Sequence, residues 1–212
     1  MRRSPKSMRG LETLGRTRLS RHFYLRDFLY SEIGAVHGFP NIPLDPDLAI
    51  AAGTRLSTEC LDPLVETFGP LHIRSAYRHP DLNAFGNEHG LNCARNETDR
   101  AGHIWDLRDG SGNMGACACV VIPWFADRYE AGRDWRDLAW WLHDHIPYSE
   151  LRFFPKLCAF NLTWSEVPKR EIRSWIGGNA VLLRRGQAPE EPTEARSARY
   201  ADFPEFRGIS YP

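Results

Sequence analysis

A continuous apolar run over residues 115–123, Gly-Ala-Cys-Ala-Cys-Val-Val-Ile-Pro, constrains the fold more than any other segment. The run is too short to span a bilayer, and its composition predicts a strand that is buried on both faces. Residues 109–113, Asp-Gly-Ser-Gly-Asn, have the composition of a turn, and residues 103–108 before them are a second strand candidate. We therefore expect a hairpin or a loop-linked strand pair here, with residues 115–123 as a central strand.

The remaining periodicity predicts an α+β domain. Helical spacing of apolar residues extends from Leu25 to Gly38, from an N-cap at Asp45 to Gly69, and from an N-cap at Asp134 to Pro147. Pro63 should kink or divide the second of these helices. Residues 79–101 are rich in Asn and Gly and predict a loop with at most a short helix. The fold class we expect is a single domain with an antiparallel sheet backed by helices, and the other predicted strands cover residues 71–76, 151–154, 160–164 and 180–184.

Both ends of the chain differ in composition from its middle. The first 21 residues contain seven Lys or Arg residues and one acidic residue, Glu12. Residues 1–19 therefore predict a basic flexible arm, either a solvated tail or a phosphate-binding segment. Residues 20–185 form the predicted domain, and residues 186–212 form a polar, Pro-rich tail that should wrap the surface or stay mobile.

Charge and cysteine content narrow the classes of partner. Lys and Arg number 27, as do Asp and Glu, so the formal net charge of zero gives no general attraction to nucleic acid or an anionic membrane. Only the basic arm is a candidate for nucleic-acid contact. The five cysteines are odd in number and no apolar signal segment is visible, which favours reduced thiols and a cytoplasmic or virion-associated protein. No Cys-x-x-Cys pair is present to build a structural zinc site.

Three segments resemble the zinc D-Ala-D-Ala carboxypeptidase superfamily, which has the Hedgehog/DD-peptidase-like fold. Residues 75–83 contain Ser-Ala-Tyr-Arg and a later Asn, similar to the family's S-G-Y-R-S-x-x-x-N. Residues 115–123 are similar to the end of S-x-H-x-x-G-x-A-x-D followed by I-V-V-P. Residues 160–164, Phe-Asn-Leu-Thr-Trp, are similar to the strand W-V-H-L-S-W. The resemblance covers roughly residues 20–165 and makes residues 87–111 an insertion.

This resemblance implies that the zinc ligands are replaced. Gly112 and Asn161 stand at the positions of the two ligand histidines, Cys119 at that of the ligand aspartate, and Phe154 at that of the catalytic glutamate. Glycine offers no donor and phenylalanine cannot accept a proton from water, so the set cannot build the family's catalytic zinc centre. No cofactor is therefore expected in this register.

The resemblance then implies recognition without catalysis. The expected ligand is a peptide or a peptidoglycan-like molecule bound in the former cleft, where an arginine suits a carboxylate. A structural role in a larger assembly such as a phage particle, with virion or tail proteins as partners, fits the same residues. The arginine has a competing interpretation, in which it ties its strand to a neighbouring loop. The ligand-binding candidates are Ser75, Tyr77, Arg78, Asn83 and Asn161.

A rival register keeps zinc chemistry. It aligns Gly102-His103-Ile104-Trp105-Asp106 with G-x-A-x-D and places Asp99 at the histidine position. The chain would then be a zinc-dependent cell-wall peptidase with a rearranged site around His103 and Asp106, completed by Asp109 or His89. This alternative requires three ligand atoms within about 2.0–2.2 Å of one point. The binding interpretation predicts instead an apolar or Arg-lined cleft.

A third hypothesis is a thiol-dependent enzyme that uses Cys119 or Cys93, with His103 as a base for Cys119. It requires an exposed thiol with a lowered pKa. The competing interpretation is that the thiols are ordinary core residues.

Overall fold

The computed structural model describes residues 3–207 and contains a six-stranded sheet with helices, an α+β arrangement. The strand order is β1-β2-β4-β3-β5-β6. All neighbouring strands are antiparallel except β3 and β5, which are parallel. The prediction of a wholly antiparallel sheet is therefore wrong at this pair. The strands are β1 (His72–Ser75), β2 (Gly115–Val121), β3 (Glu150–Phe153), β4 (Phe160–Ser165), β5 (Glu171–Ser174) and β6 (Ala180–Leu183).

The helices of the described residues are mostly short and capped by polar side chains. Ser7, Ser31, Asp45, His79 and Asp134 each accept a hydrogen bond from a backbone N–H in the first turn of the helix that follows. The helices are α1 (Met8–Gly15), α2 (Glu32–His37), α3 (Pro46–Leu56), α4 (Asp62–Phe68), α5 (Pro80–Glu88), α6 (Asn96–Asp99), α7 (Pro123–Glu130), α8 (Trp135–His145) and α9 (Thr193–Arg199).

One long helical segment contains the break expected at Pro63. Helices α3 and α4 are joined by a π-helical turn, Ser57–Leu61. Proline has no N–H, and its ring pushes on the carbonyl four residues earlier. The wider turn just before Pro63 accommodates both effects while the segment continues.

The sheet buries one face under helices. Leu151, Leu162 and Ile172 on this face are 0–1% exposed and form the main core with residues of α3 and α8. Trp135, Trp140 and Trp141 of α8 belong to this core and hold the helix on the sheet. Gly115 lets the backbone of Ala101 approach β2 closely, because a Cβ at this position would collide with the carbonyl oxygen of Ala101.

Both terminal segments are folded onto the domain. The arm predicted to be flexible contains α1, and Leu14 and Leu19 are 7% and 3% exposed. That prediction is wrong for residues 7–19, because these leucines enter the main core; residues 1–2 lie outside the described part. The tail wraps the surface through α9, where Arg196 pairs with Asp144 of α8 at 2.8 Å. Residues 208–212 also lie outside the described part.

Three element predictions need correction. Residues 25–38 form a 3-10 turn, Leu25–Phe28, and the separate α2 instead of one helix. Residues 79–101, predicted as a loop, contain the nine-residue α5 and the short α6. Residues 103–108 form turns instead of a strand. Within residues 3–207, no helix has the length and apolar character needed to cross a bilayer.

Candidate ligand-binding site

The second face of the sheet carries a row of five side chains, one from each of five neighbouring strands, and all of them except Cys119 are polar. Ser75 pairs with Cys119, Cys119 with Asn161, Asn161 with Arg152, and Arg152 with Arg173. Directly paired residues on adjacent strands project from the same face. The backbone register therefore brings two predicted site residues, Ser75 and Asn161, to one surface on either side of Cys119.

At the β1 end of this row, Arg78 is held by surrounding polar groups. Its guanidinium donates to Ser75 Oγ at 3.2 Å and to Asn83 Oδ1 at 3.5 Å. It also lies 3.8 Å from Asp99 Oδ2, and the two side chains are only 15% and 10% exposed. These two hydrogen bonds use two of the five N–H donors of an arginine. Arg78 thus ties β1 to the following segments and keeps donors for a ligand.

Asn83 supports this cluster from α5. Its side-chain nitrogen donates to Ala94 O at 2.8 Å and to Asn96 Oδ1 at 2.9 Å, and the residue is fully buried. Asn83 therefore orders the segment that carries Asp99 and reaches a ligand only through Arg78. Three of the predicted site residues, Ser75, Arg78 and Asn83, do come together.

Tyr77 points away from the row. Its hydroxyl donates to Asp106 Oδ2 at 3.0 Å, and the ring is buried in the main core against Trp105. Burial, together with the neighbouring Asp106 carboxylate, raises the pKa of Tyr77. Tyr77, which was predicted to bind the ligand, is therefore a core residue with one polar contact.

The two metal candidates of the rival register contact different partners. His103 Nδ1 lies 2.7 Å from Ala76 O, and since a carbonyl only accepts, Nδ1 carries the proton. Asp106 Oδ2 accepts from Tyr77 and from Leu44 N, the latter at 2.6 Å. Burial raises the pKa of Asp106 despite these hydrogen bonds. These contacts explain both residues without a shared ion.

His103 is 5% exposed and belongs to the Arg78 cluster. Its backbone N–H donates to Asp99 Oδ1 at 3.1 Å, and its carbonyl accepts from Arg78 N at 2.8 Å. Burial and the Arg78 charge lower the pKa of His103 to about 4, although Asp99 acts in the opposite direction. The imidazole is therefore neutral at physiological pH. Among residues 3–207, no three His, Cys, Asp or Glu side chains form a group that could hold a metal ion.

The thiols do not have the environment that a nucleophile needs. Cys119 and Cys93 are both 9% exposed. Burial raises the pKa of Cys119, although the charges of Arg74 and Arg78 act to lower it. Burial likewise raises the pKa of Cys93. The lowered thiol pKa that the thiol-enzyme hypothesis requires is absent at both positions.

The resemblance places four residues at the family's zinc-ligand and catalytic positions, and three of them, Cys119, Asn161 and Phe154, lie together. Cys119 and Asn161 are direct partners on β2 and β4, while Phe154 packs in a small apolar cluster with Cys119, Val121, Ala126 and Ala159. Gly112 lies in the turn before β2 at φ +85°. The centre of the row is therefore a buried apolar floor with the half-buried amide of Asn161 beside it.

Arginines that were not predicted surround this floor. Arg74 lies at a register irregularity between Ile73 and Ser75, and Arg152 and Arg173 extend the row across β3 and β5. Arg152 alternates with Leu151 and Phe153 in a predicted strand, and this pattern could have placed it on the polar face. No such signal was available for Arg173. β5 itself is only four residues long and is missing from the sequence prediction.

No protein-family model matches this chain, and neither the curated proteins nor the solved structures contain a significant match. The resemblance of the three motif segments therefore remains a prediction from the residues themselves.

Proposed function

We propose that this chain is a non-catalytic relative of the zinc D-Ala-D-Ala carboxypeptidases, with a Hedgehog/DD-peptidase-like fold, that binds a peptide or peptidoglycan-like ligand. The ligand lies on the polar sheet face with a terminal carboxylate near Arg78. The observation that carries this proposal is the row Ser75–Cys119–Asn161, which combines hydrogen-bonding groups, an apolar floor and neighbouring arginines.

The register supports the resemblance on which the proposal depends. The replaced aspartate and histidine positions, Cys119 and Asn161, were assigned from two separate motifs, and they face each other on adjacent strands. Two positions that hold a common ion in the family must lie close together, and the corresponding positions of this chain do. The arginines on this face agree with the Arg-lined cleft that the binding interpretation predicts.

The chemistry of these side chains favours binding over hydrolysis. Hydrolysis requires a base near the reacting carbonyl or a metal that activates water. The row offers Cys119, whose thiol pKa is raised by burial, and the amide of Asn161. Neither activates water, whereas arginine and asparagine can both donate to a carboxylate.

Calorimetry with the peptide acetyl-Lys-D-Ala-D-Ala and its C-terminal amide tests the proposal. The free acid should bind at least about tenfold more tightly, because a charged hydrogen-bonded pair contributes more than about 1.5 kcal/mol. Arg78→Lys keeps the charge and loses the planar donor set, so it should weaken binding of the acid by about tenfold. Arg95→Gln, at an exposed position outside the row, is the matched control.

Two results would overturn the proposal. Equal affinity for the acid and the amide would exclude carboxylate recognition. Release of D-Ala, detected by mass spectrometry after addition of zinc, would show that the chain is a peptidase and would favour the rearranged-site alternative.

A further inference from the structure

A shallow pocket of about 230 Å³ lies at the far end of the row from Arg78. It opens where β3 and β5 run side by side, beyond the positions that the motif segments cover. Its lining residues are Arg152, Arg173, Ser174, Trp175 and Asn179.

Two positive charges face each other in this pocket. Arg152 and Arg173 are paired residues on parallel strands, and neighbouring strands lie about 4.8 Å apart. Like charges directly opposite each other destabilise a sheet. Arg173 Nε is hydrogen-bonded to Glu171, while no carboxylate of residues 3–207 forms an ion pair with the exposed Arg152. An anion placed between the two guanidinium groups would relieve this repulsion.

An aromatic ring adjoins the two arginines. Trp175 is 46% exposed, in contrast to the buried tryptophans of α8. Its backbone N–H donates to Phe153 O at 2.9 Å, which continues the β3–β5 pairing. Gly177 and Gly178 then turn the chain at φ +71° and +114°, conformations that glycine adopts readily. The ring is thus held at the pocket by ordered backbone and presents a flat apolar surface.

We propose that this pocket is a second anion subsite, which binds a carboxylate carried next to an apolar or ring-shaped group. Arg152 and Arg173 hold the carboxylate, and Trp175 packs on the adjoining group. We assign this carboxylate to an acidic residue of the peptide whose C-terminus lies near Arg78, and this assignment rests on the proposed function. Three strand spacings separate Ser75 from Arg152, and four separate it from Arg173. These distances are about 14 Å and about 19 Å, which an extended peptide of about four to six residues spans.

The subsite is tested first with a small probe that does not need the β1 end of the row. Benzoate carries a carboxylate on a ring, and benzamide is its neutral counterpart of the same shape. In the ¹⁵N-labelled full chain, benzoate should shift the signals of the Arg152 and Arg173 side chains and of the Trp175 indole. Benzamide should bind at least about tenfold more weakly.

Variants locate the binding. Arg152→Gln and Arg173→Gln should each weaken benzoate binding by about tenfold, while Arg185→Gln, which removes an exposed arginine outside the pocket, should leave it unchanged. Equal shifts by benzoate and benzamide, or an equal loss in Arg185→Gln, would overturn the subsite. Arg152 is exposed and Arg173 is partly exposed, so both variants should fold.

Peptides connect the two ends of the row. A peptide with Glu five residues before its free C-terminus should bind about tenfold more tightly than the same peptide with Gln there, and Arg152→Gln should abolish the difference. If benzoate binds but the terminal carboxylate has no effect, the subsite stands and the proposed function fails. If the terminal carboxylate matters but the Glu does not, the terminal site stands and the assignment of the second subsite to the same peptide is wrong.

Discussion

The two ends of the polar row use the same residue type in different ways. At the β1 end, Arg78 is 15% exposed and is tied to Ser75, Asn83 and Asp99. At the β3–β5 end, Arg152 is exposed and lies directly opposite another arginine. The Arg78 guanidinium is paired within the fold and keeps only its remaining N–H donors for a ligand, whereas the Arg152 guanidinium is left to face solvent or a ligand.

The difference determines whether a substitution changes stability together with binding or binding alone. Removing one member of a buried ion pair leaves the other charge unpaired in a poorly solvated place, which costs several kcal/mol. Removing an exposed charge that has no partner costs little. Substitutions at the β1 end should therefore change the free energy of unfolding as well as affinity, and those at the β3–β5 end should mainly change affinity.

The largest expected effect is that of Arg78→Ala. It leaves the Asp99 carboxylate without its charged partner, and Oδ2 of this carboxylate is buried and makes no hydrogen bond within the described residues. The free energy of unfolding should therefore fall by about 3 kcal/mol. Urea unfolding at pH 7 measures the change. Arg152→Ala is the matched variant at the other end, and an equal loss in both proteins would remove the distinction between the ends.

A similar decrease in the free energy of unfolding is expected when the pH is lowered, because His103 titrates. Its pKa is about 4 in the folded protein against 6.5 for the free side chain, so the unfolded chain takes up the proton first as pH falls. Stability should decrease between about pH 6.5 and pH 4, by about 3 kcal/mol from this group. The sign follows because the unfolded state binds more protons in that window.

His103→Asn isolates this contribution. The asparagine amide can replace Nδ1–H as the donor to Ala76 O and does not titrate, so the pH dependence of the unfolding free energy should become shallower in this window. Asp106 titrates in both proteins and cancels in the comparison. An unchanged slope would mean that His103 is not the buried neutral group described above.

A smaller loss is expected from Tyr77→Phe. The change removes the hydroxyl that donates to Asp106 Oδ2. The other oxygen of this carboxylate, Oδ1, is buried and already makes no hydrogen bond within the described residues. A hydrogen bond to a charged group contributes about 1.5–3 kcal/mol, so we expect a loss of about 2 kcal/mol in chemical denaturation. Tyr30→Phe, at a residue that is 64% exposed, should be neutral; a neutral Tyr77→Phe would contradict the buried contact.

The two ends also differ in how far the sequence predicts them. The apolar run at residues 115–123 and the alternation at residues 160–164 fix β2 and β4, since burial leaves a clear pattern. The motif segments bring Ser75, Arg78 and Asn161 into one hypothesis. The register between β2 and β4 could not be read from either strand alone, because pairing depends on both.

The β3–β5 end escapes prediction for physical reasons. β5 contains only four residues, too few for periodicity to distinguish a strand from a loop. The parallel pairing of β3 with β5 joins segments that are not consecutive in the chain, and only this pairing brings Arg152 opposite Arg173. Similarly, the Arg78–Asp99 pair depends on how residues 79–101 fold, a segment whose helix α5 the composition concealed.

The smallest expected effect is that of Arg152→Gln on stability, and its sign is informative. Removing one of two opposed arginines relieves repulsion on the sheet, so the free energy of unfolding should stay the same or rise by a few tenths of a kcal/mol. Any gain should shrink as salt is raised from about 0.01 M to about 1 M, because ions screen exposed charges. Arg185→Gln controls for the change in net charge. A loss of more than about 1 kcal/mol would show that Arg152 has a partner in the fold, and the β3–β5 end would then be as structural as the β1 end.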